Sequence, residues 1–367
     1  MKKKKILFVA TEFAAGMIPF AATIINTLAA DNHFEIHCIC VCSERHTYRG
    51  LISCAAHPTF IDYPKCIFLK ILYKLWPFAI IKQVKKVQRE INPDAIHYLT
   101  GDFTMANYIQ CYDNVKVCYT VHDMHPHEVK LTSLFERLIF RLITRGYRVL
   151  RERCMNLTTS SRSQLKELKD LYPDKNIEFT PFPTLMNPEI EHGGMGVKEI
   201  HDEDKYLLFF GGVQEYKGVQ LLIDAFNRSS LSHDIKLVIA GRGIVLSHLN
   251  QRIIRINRFI DDRELKALFL GAEAVIYPYL SATMSGVLSL AYYFKKRVIL
   301  SDIPFFQENK TSACTFFRAG EIDDLTSKLN TLEDISYNSN NDNGYQQIYS
   351  TNALVDAYYV FYEKINS

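Results

Sequence analysis

The chain of 367 residues is too long for one packed core of ordinary size, and 48% apolar against 23% charged residues excludes a disordered or fibrous protein. A formal net charge of +3 is too small to signal nucleic-acid binding, and no nucleic-acid recognition motif accompanies it. Nine cysteines without C-x-x-C pairs, mostly inside apolar runs, argue for a reducing compartment over a disulfide scaffold.

The opening stretch MKKKKILFVATEF begins basic, but its apolar part is short and lacks a small-residue cleavage site, so Ile6 to Ala10 read as a buried strand. AATIINTLAADN follows with helical character and FEIHCICVC as another strand, the β-α-β rhythm of a parallel sheet. DAIHYL, VKVCYTVHD and MNLTTSS continue it as short apolar runs bounded by turn or polar residues. Residues 1–183 are therefore expected to form a doubly wound domain, and no segment reaches the roughly 18 to 20 apolar residues that span a bilayer.

Within it, KVCYTVHDMHPHE ends a predicted strand on His122, Asp123, His125 and His127. Imidazole titrates near neutrality, so a His and an Asp at a strand end would orient a hydroxyl or stabilise charge in a transition state. A metal site is the rival reading, but such close loop spacing is not a zinc pattern. Glu12 and Asp102 stand near other predicted strand ends, where an acceptor would be met; each is expected at the solvated surface, and neither as a base.

TPFPTLMNPEIEHGGMGVKEIHDED is rich in proline, glycine and charge without sustained periodicity, which predicts a linker over residues 184–204. The rhythm then restarts with KYLLFFGG as strand, GVQLLIDAFNRS as helix, DIKLVIAGRG as strand and turn, DRELKALFLGA as helix and EAVIYPY as strand, a second parallel-sheet domain over 205–350. Residues 351–367 carry helical spacing in Leu354, Tyr358, Phe361 and Ile365 and are expected as a helix that packs back on the first domain.

In LLFFGGVQEYKGVQLLIDAF, Gly211 and Gly212 follow a strand, and Lys217 stands beside Gly218 at a helix entrance. Glycine permits close backbone approach, a helix start presents free N–H groups, and lysine adds a mobile charge, a set that suits a phosphate. Ser285, Gly286 and Val287 repeat the arrangement after AVIYPY, and two helix mouths at the carboxyl ends of strands suit a diphosphate.

FFGGVQEYKGVQLLIDAF, LVIAGRG, NRFIDDRELKALFLGAEAVIYPY and SGVLSLAYYFKKRVILSD resemble, in order and spacing, the GT-B glycosyltransferases of the retaining family-4 kind. The resemblance covers nearly the whole second domain. It implies an α/β fold of two Rossmann-like, doubly wound domains facing across a cleft, the second binding a nucleoside diphosphate sugar and the first an acceptor. It makes Lys217 the donor-phosphate lysine, gives Ser285, Gly286 and Val287 the diphosphate, and sets Arg258 and Phe259 beside the nucleobase. T-x-H-D-x-x-P-H resembles a recurrent motif of the same group, which implies that His122 faces the donor sugar and Asp123 helps hold it. Gly16 and Met17 would lie near the acceptor. No cofactor and no metal are expected, the nucleotide sugar being a substrate.

Two departures stand out. The arginine that often precedes the lysine by five positions is Gly212 here, and the family's paired glutamates fall on Ala282 and Leu290, so the usual ribose contact is missing. An active variant is expected, transferring a hexose-like sugar to a glycan or lipid-linked acceptor in surface polysaccharide assembly. A silent nucleotide- or sugar-binding partner of another transferase, or a sugar-nucleotide epimerase, is the alternative.

Residues 63–89 hold seven basic residues and no acid, interleaved with aliphatic residues and the single tryptophan, Trp76. In 134–153, Arg137, Arg141, Arg145 and Arg148 recur at helical spacing. Such faces attract anionic lipid, which predicts a cytoplasmic protein held peripherally on the inner membrane surface.

Overall fold

The computed structural model describes residues 3–12, 16–44, 47–109, 115–124, 133–332 and 343–366. The chain divides into one unit of Met1–Pro183 with Thr351–Ser367, and a second of Thr184–Ser350.

In the first unit the strands are β1 (Lys4–Ala10), β2 (Phe34–Cys42), β3 (Pro58–Asp62), β4 (Ala95–Tyr98), β5 (Lys116–Thr120), β6 (Asn156–Thr159) and β7 (Asn176–Phe179). All pair in parallel, in the order β3-β2-β1-β4-β5-β6-β7, with Phe8 opposite Cys38 on one side and His97 on the other. The two-residue period of β1 sends Ile6, Phe8 and Ala10 into one core layer and Leu7 and Val9 into the other, which explains a strand without polar alternation. The helix Met17–Ala29 covers the first layer and Phe78–Ile91 the second.

The last helix, Thr351–Asn366, belongs to this first unit, with Tyr358, Phe361 and Tyr362 fully buried in the same layer as Phe8. The Tyr362 hydroxyl lies 2.7 Å from His97 Nδ1, and His97 Nε2 lies 2.9 Å from Thr120 Oγ1. Burial pushes the His97 imidazole down to about 3, so it stays neutral and joins the helix to β4 and β5 by uncharged hydrogen bonds.

The second unit has β8 (Lys205–Phe210), β9 (Ile235–Ala240), β10 (Ile253–Ile256), β11 (Ala272–Tyr277), β12 (Arg297–Ser301) and β13 (Cys314–Phe317), again all parallel, in the order β10-β9-β8-β11-β12-β13. Strand order therefore reverses between β1 and β4 in one unit and between β8 and β11 in the other. Loops that leave the carboxyl ends of strands at such a point frame a crevice, the usual ligand position in open parallel sheets.

Residues 184–204 correct the expected linker, because they are part of the second unit. Asn187 caps the short helix Pro188–Glu191 and donates to Asp262 Oδ2 at 2.8 Å, while Ile190 and Val197 are buried in the core. Two apolar side chains and one cap anchor a segment whose composition alone reads as free loop. Among the described residues, no helix is long and apolar enough to cross a membrane.

Candidate functional site

The second unit's reversal point is lined by the turn after β8 and the loop after β11. Gly211 leaves β8 at φ +133°, and a Cβ there would stand 3.4 Å from Lys217 Nζ and 3.6 Å from Val287 Cγ1. Glycine therefore keeps the space before the ammonium open, and it brings Gly211, Lys217 and Val287 together. Gly218 sits at φ +62°, where a Cβ would fall 2.0 Å from the Pro278 carbonyl oxygen, so this turn admits no other residue without movement. The helix Val219–Arg228 starts there, and its first bond runs from Leu222 N to Gly218 O, leaving the N–H groups before it without helical acceptors.

The Lys217 ammonium lies 5.3 Å from the ring centre of Tyr279 and 5.9 Å from that of Tyr216. Burial pushes its pKa below the ordinary lysine value, and among the described residues no carboxylate pairs with it. A desolvated cation without a counter-ion is a binding site for an anion.

Ser285 Oγ lies 3.4 Å from the Tyr279 hydroxyl, and Tyr277 donates to Val287 O at 3.1 Å, so both tyrosines hold the loop toward Lys217. Gly286 has a structural reason of its own, since a Cβ would stand 2.7 Å from Leu185. Ser289 donates to Gly286 O and accepts from Leu185 N, which locks that approach. Leu290 is buried in the core, so the position of the missing glutamate offers no group to a ribose.

Gly212 is exposed, and its nearest neighbour across the turn is the carbonyl of Arg242, 3.8 Å from where a Cβ would be. Arg242, an exposed residue after β9, therefore runs its backbone beside that turn, a neighbour only because β9 pairs with β8.

Arg258 corrects an expectation. Its guanidinium donates to both oxygens of Glu199 at 2.9 Å and both of Glu264 at 2.7 Å, and to Phe259 O at 3.3 Å. All five of its N–H groups are engaged, leaving none for a nucleobase. Glu264 also completes a capping box with Asp261 for the helix Asp262–Leu270. Phe259 presents a ring that is 75% exposed.

In the first unit, His122 follows β5, and its Nε2 donates to Leu99 O at 2.9 Å. Burial pushes its pKa down, so the ring is neutral, and Nδ1 is a buried acceptor with no partner among the described residues. Its ring meets the Phe20 edge at 4.7 Å, while Gln164 holds the loop by accepting from Met124 N and donating to Val121 O. Asp123 is half-buried beside it. His125 and His127 lie outside the described residues, and among the described residues no three His, Cys, Asp or Glu side chains gather as metal ligands. Gly16 is the N-cap of Met17–Ala29 with open space around its Cα, and Met17 begins that helix half-exposed.

Glu12 and Asp102 overturn the surface reading. Asp102, fully buried at φ +51°, accepts from Thr11 N at 2.7 Å, Thr100 N at 2.9 Å and both threonine hydroxyls. Burial pushes it up to about 6 against the pull of those bonds. Glu12 is pushed up to about 7 by burial and then by the Asp102 charge, with Lys74 opposing. The two follow β1 and β4, the strands between which the order reverses.

The helix Ile67–Leu75 leaves Phe68, Leu69, Ile71, Leu72 and Leu75 exposed, with Trp76 and Phe78 beyond it. A cavity of about 300 Å³ lies between this segment and the helix Leu134–Arg153, lined among others by Lys74, Leu75, Phe103, Leu142 and Arg145.

Residues 204–334 match the family model of the glycosyl transferases group 1. O-antigen chain mannosyltransferase C of Escherichia coli is 22% identical over 330 residues, 83% of this chain and 85% of that protein. Sucrose-phosphate synthase of Thermosynechococcus elongatus superposes with a TM-score of 0.72 at 13% identity over 99% of both chains. Anabaena HepE, solved with UDP and glucose, gives 0.61 at 15% identity over 99% of this chain and 97% of its own. The second unit is therefore similar to the glycosyl transferases group 1 over residues 204–334, the two parallel-sheet units have the GT-B fold, and these likenesses support glycosyltransferase activity.

Proposed function

We propose that the chain is a retaining transferase that moves a hexose-like sugar from a nucleoside diphosphate sugar to a glycan or lipid-linked acceptor in surface polysaccharide assembly. The observation that carries this reading is Lys217, a largely desolvated ammonium without a carboxylate, facing the open side of Gly211. As the bond from the anomeric carbon to phosphate breaks, negative charge grows on the diphosphate. Lys217 and the N–H groups that open the helix Val219–Arg228, with that of Gly286, stabilise that charge more than they stabilise the intact donor. Arg242, whose backbone runs beside Gly212, is the arginine we assign as a second positive charge in place of the one absent at position 212.

Phe259 offers an exposed ring to the nucleobase, and the unpartnered Nδ1 of His122 accepts a bond from a sugar hydroxyl. The E. coli relative is a mannosyltransferase named for the O-antigen chain and HepE was solved with UDP and glucose, which favours a sugar nucleotide and a surface glycan. Exposed aliphatic and aromatic residues from Phe68 to Phe78, set among lysines, and the exposed Arg137, Arg141, Arg145 and Arg148 suit an anionic membrane surface that presents a lipid-linked acceptor.

Calorimetric titration with UDP, GDP and ADP tests the donor site. One nucleotide is expected to bind, and Lys217→Ala to weaken it 10- to 100-fold, the cost of one charge-assisted bond to phosphate. Equal affinity in wild type and variant removes the support for this assignment.

A further inference from the structure

The helix Leu134–Arg153 carries one glycine among six arginines, and the fold gives the reason. At Gly146 the helix meets a short turn after β4, where a Cβ would stand 2.8 Å from Phe103 Cβ and 3.0 Å from Phe103 O. Arg153 donates to Ala106 O at 3.1 Å, and the Tyr108 hydroxyl donates to Leu75 O at 2.9 Å. Residues 103–108 are thus held to this helix on one side and to the end of Ile67–Leu75 on the other. The cavity of about 300 Å³ is the space those contacts leave, and it belongs to the first unit alone.

Its lining combines apolar walls, among them Leu75, Leu142 and Val149, with two cations, Lys74 and Arg145. Both cations are exposed, and among the described residues neither forms a salt bridge. The acid in electrostatic range of Lys74 is Glu12, whose carboxyl burial raises to about 7.

The apolar walls continue outward along both helices. Leu142, Arg145, Gly146 and Val149 share one face at helical spacing, and that face runs on through Leu138; Leu138 and Leu142 are 55% and 54% exposed. Leu75 shares its face with Phe68, Ile71 and Leu72, all exposed. Exposed apolar side chains in such runs mark a binding surface, and here both runs start at the two cations.

We infer that this cavity holds the terminal phosphate of a lipid, with the first carbons of its chain against the apolar walls and the rest along the two exposed faces. This rests on the reading of the acceptor as lipid-linked. The volume stands at the lower end of the roughly 300 to 1,000 Å³ of small-molecule sites, so it admits a head group and little more. A terminal phosphate ester carries close to two negative charges at pH 7. Lys74 and Arg145 match that charge, the guanidinium by paired bonds and the ammonium as a point charge, better than they match the single charge of a bilayer phosphodiester. A second copy of this surface is a poor occupant, because residues 63–89 hold seven basic residues and no acid, and like charge would face like.

The test titrates the full chain calorimetrically with farnesyl phosphate below its micellar concentration, and with farnesol, inorganic phosphate and dihexanoyl phosphatidylglycerol as comparators. Farnesyl phosphate is expected to bind at least 10-fold more tightly than each comparator. Lys74→Ala with Arg145→Ala, both at exposed positions, is expected to weaken it at least 10-fold. Arg137→Ala with Arg141→Ala removes the same charge outside the cavity lining. That pair is expected to leave farnesyl phosphate affinity within twofold, while lowering recovery on anionic vesicles as much as the first pair does.

A comparator that matches farnesyl phosphate overturns the inference, and so does an equal loss in the two double variants. Absence of farnesyl phosphate binding overturns it whatever the vesicles show. Equal recovery of wild type on neutral and anionic vesicles defeats the membrane reading by itself, and the farnesyl phosphate comparison still decides the cavity.

Discussion

Replacing Glu12 by glutamine should stabilise the first unit more strongly the higher the pH. The carboxyl is raised from its ordinary 4.5 to about 7 because burial disfavours its charged form and Asp102 repels it. A folded state that binds the proton more tightly than the unfolded chain gains stability below pH 4.5 and loses it as pH rises through 7. At about 1.4 kcal/mol per pH unit, that displacement sets an upper bound of about 3 kcal/mol between pH 4 and 8. Glutamine keeps the shape and carries no charge, so the difference between variant and wild type should grow by about 2 to 3 kcal/mol from pH 5 to pH 8. Urea unfolding followed by Trp76, the single tryptophan and a residue of the first unit, measures it. His97 drops out of the comparison because both proteins contain it. A difference that stays flat across this range would show that Glu12 is an ordinary solvated carboxylate and refute the burial argument.

Gly218→Ala should destabilise the second unit by about 3 kcal/mol or more, read as a lower melting temperature, since it meets both a left-handed φ and the Pro278 carbonyl. Arg258→Ala should cost about 2 to 3 kcal/mol by stranding Glu264, whose side chain is 8% exposed, while changing nucleotide Kd less than threefold; a selective loss for one base would restore its role in base recognition. Phe68→Glu with Leu72→Glu should at least halve co-sedimentation with vesicles of anionic phospholipid and leave the melting temperature within about 1 °C. Equal recovery of wild type on neutral and anionic vesicles would count against the membrane surface.

Both sheets, the strand order's local rhythm and the Gly211 to Gly218 turn were legible because each rests on period, on glycine and on residues close in sequence. Arg258 was misread because its partner Glu199 is 59 positions away, and only the folded chain shows two carboxylates converging on one guanidinium. Glu12 and Asp102 look like loop carboxylates in the sequence; their burial follows from β1 and β4 becoming neighbours across 89 residues of chain, counted from Thr100 to Thr11. Residues 184–204 read as linker because composition reports flexibility, whereas Ile190 and Val197 find their core only once the second sheet exists. The Ser285-Gly286 pair sharpened in the other direction, since Leu185 explains its glycine without a ligand and leaves Lys217 as the stronger mark of the donor site.

The central claim is that Lys217 holds the diphosphate of a sugar donor during transfer. The most direct measurement is release of nucleoside diphosphate from UDP-glucose and GDP-mannose with octyl glycoside acceptors, comparing wild type with Lys217→Ala and resolving the anomeric configuration of the product. Acceptor-dependent release by wild type, a product that keeps the donor's configuration, and a loss of at least 100-fold in the variant are expected. Release that is equal in wild type and Lys217→Ala, or a product of inverted configuration, would contradict the claim.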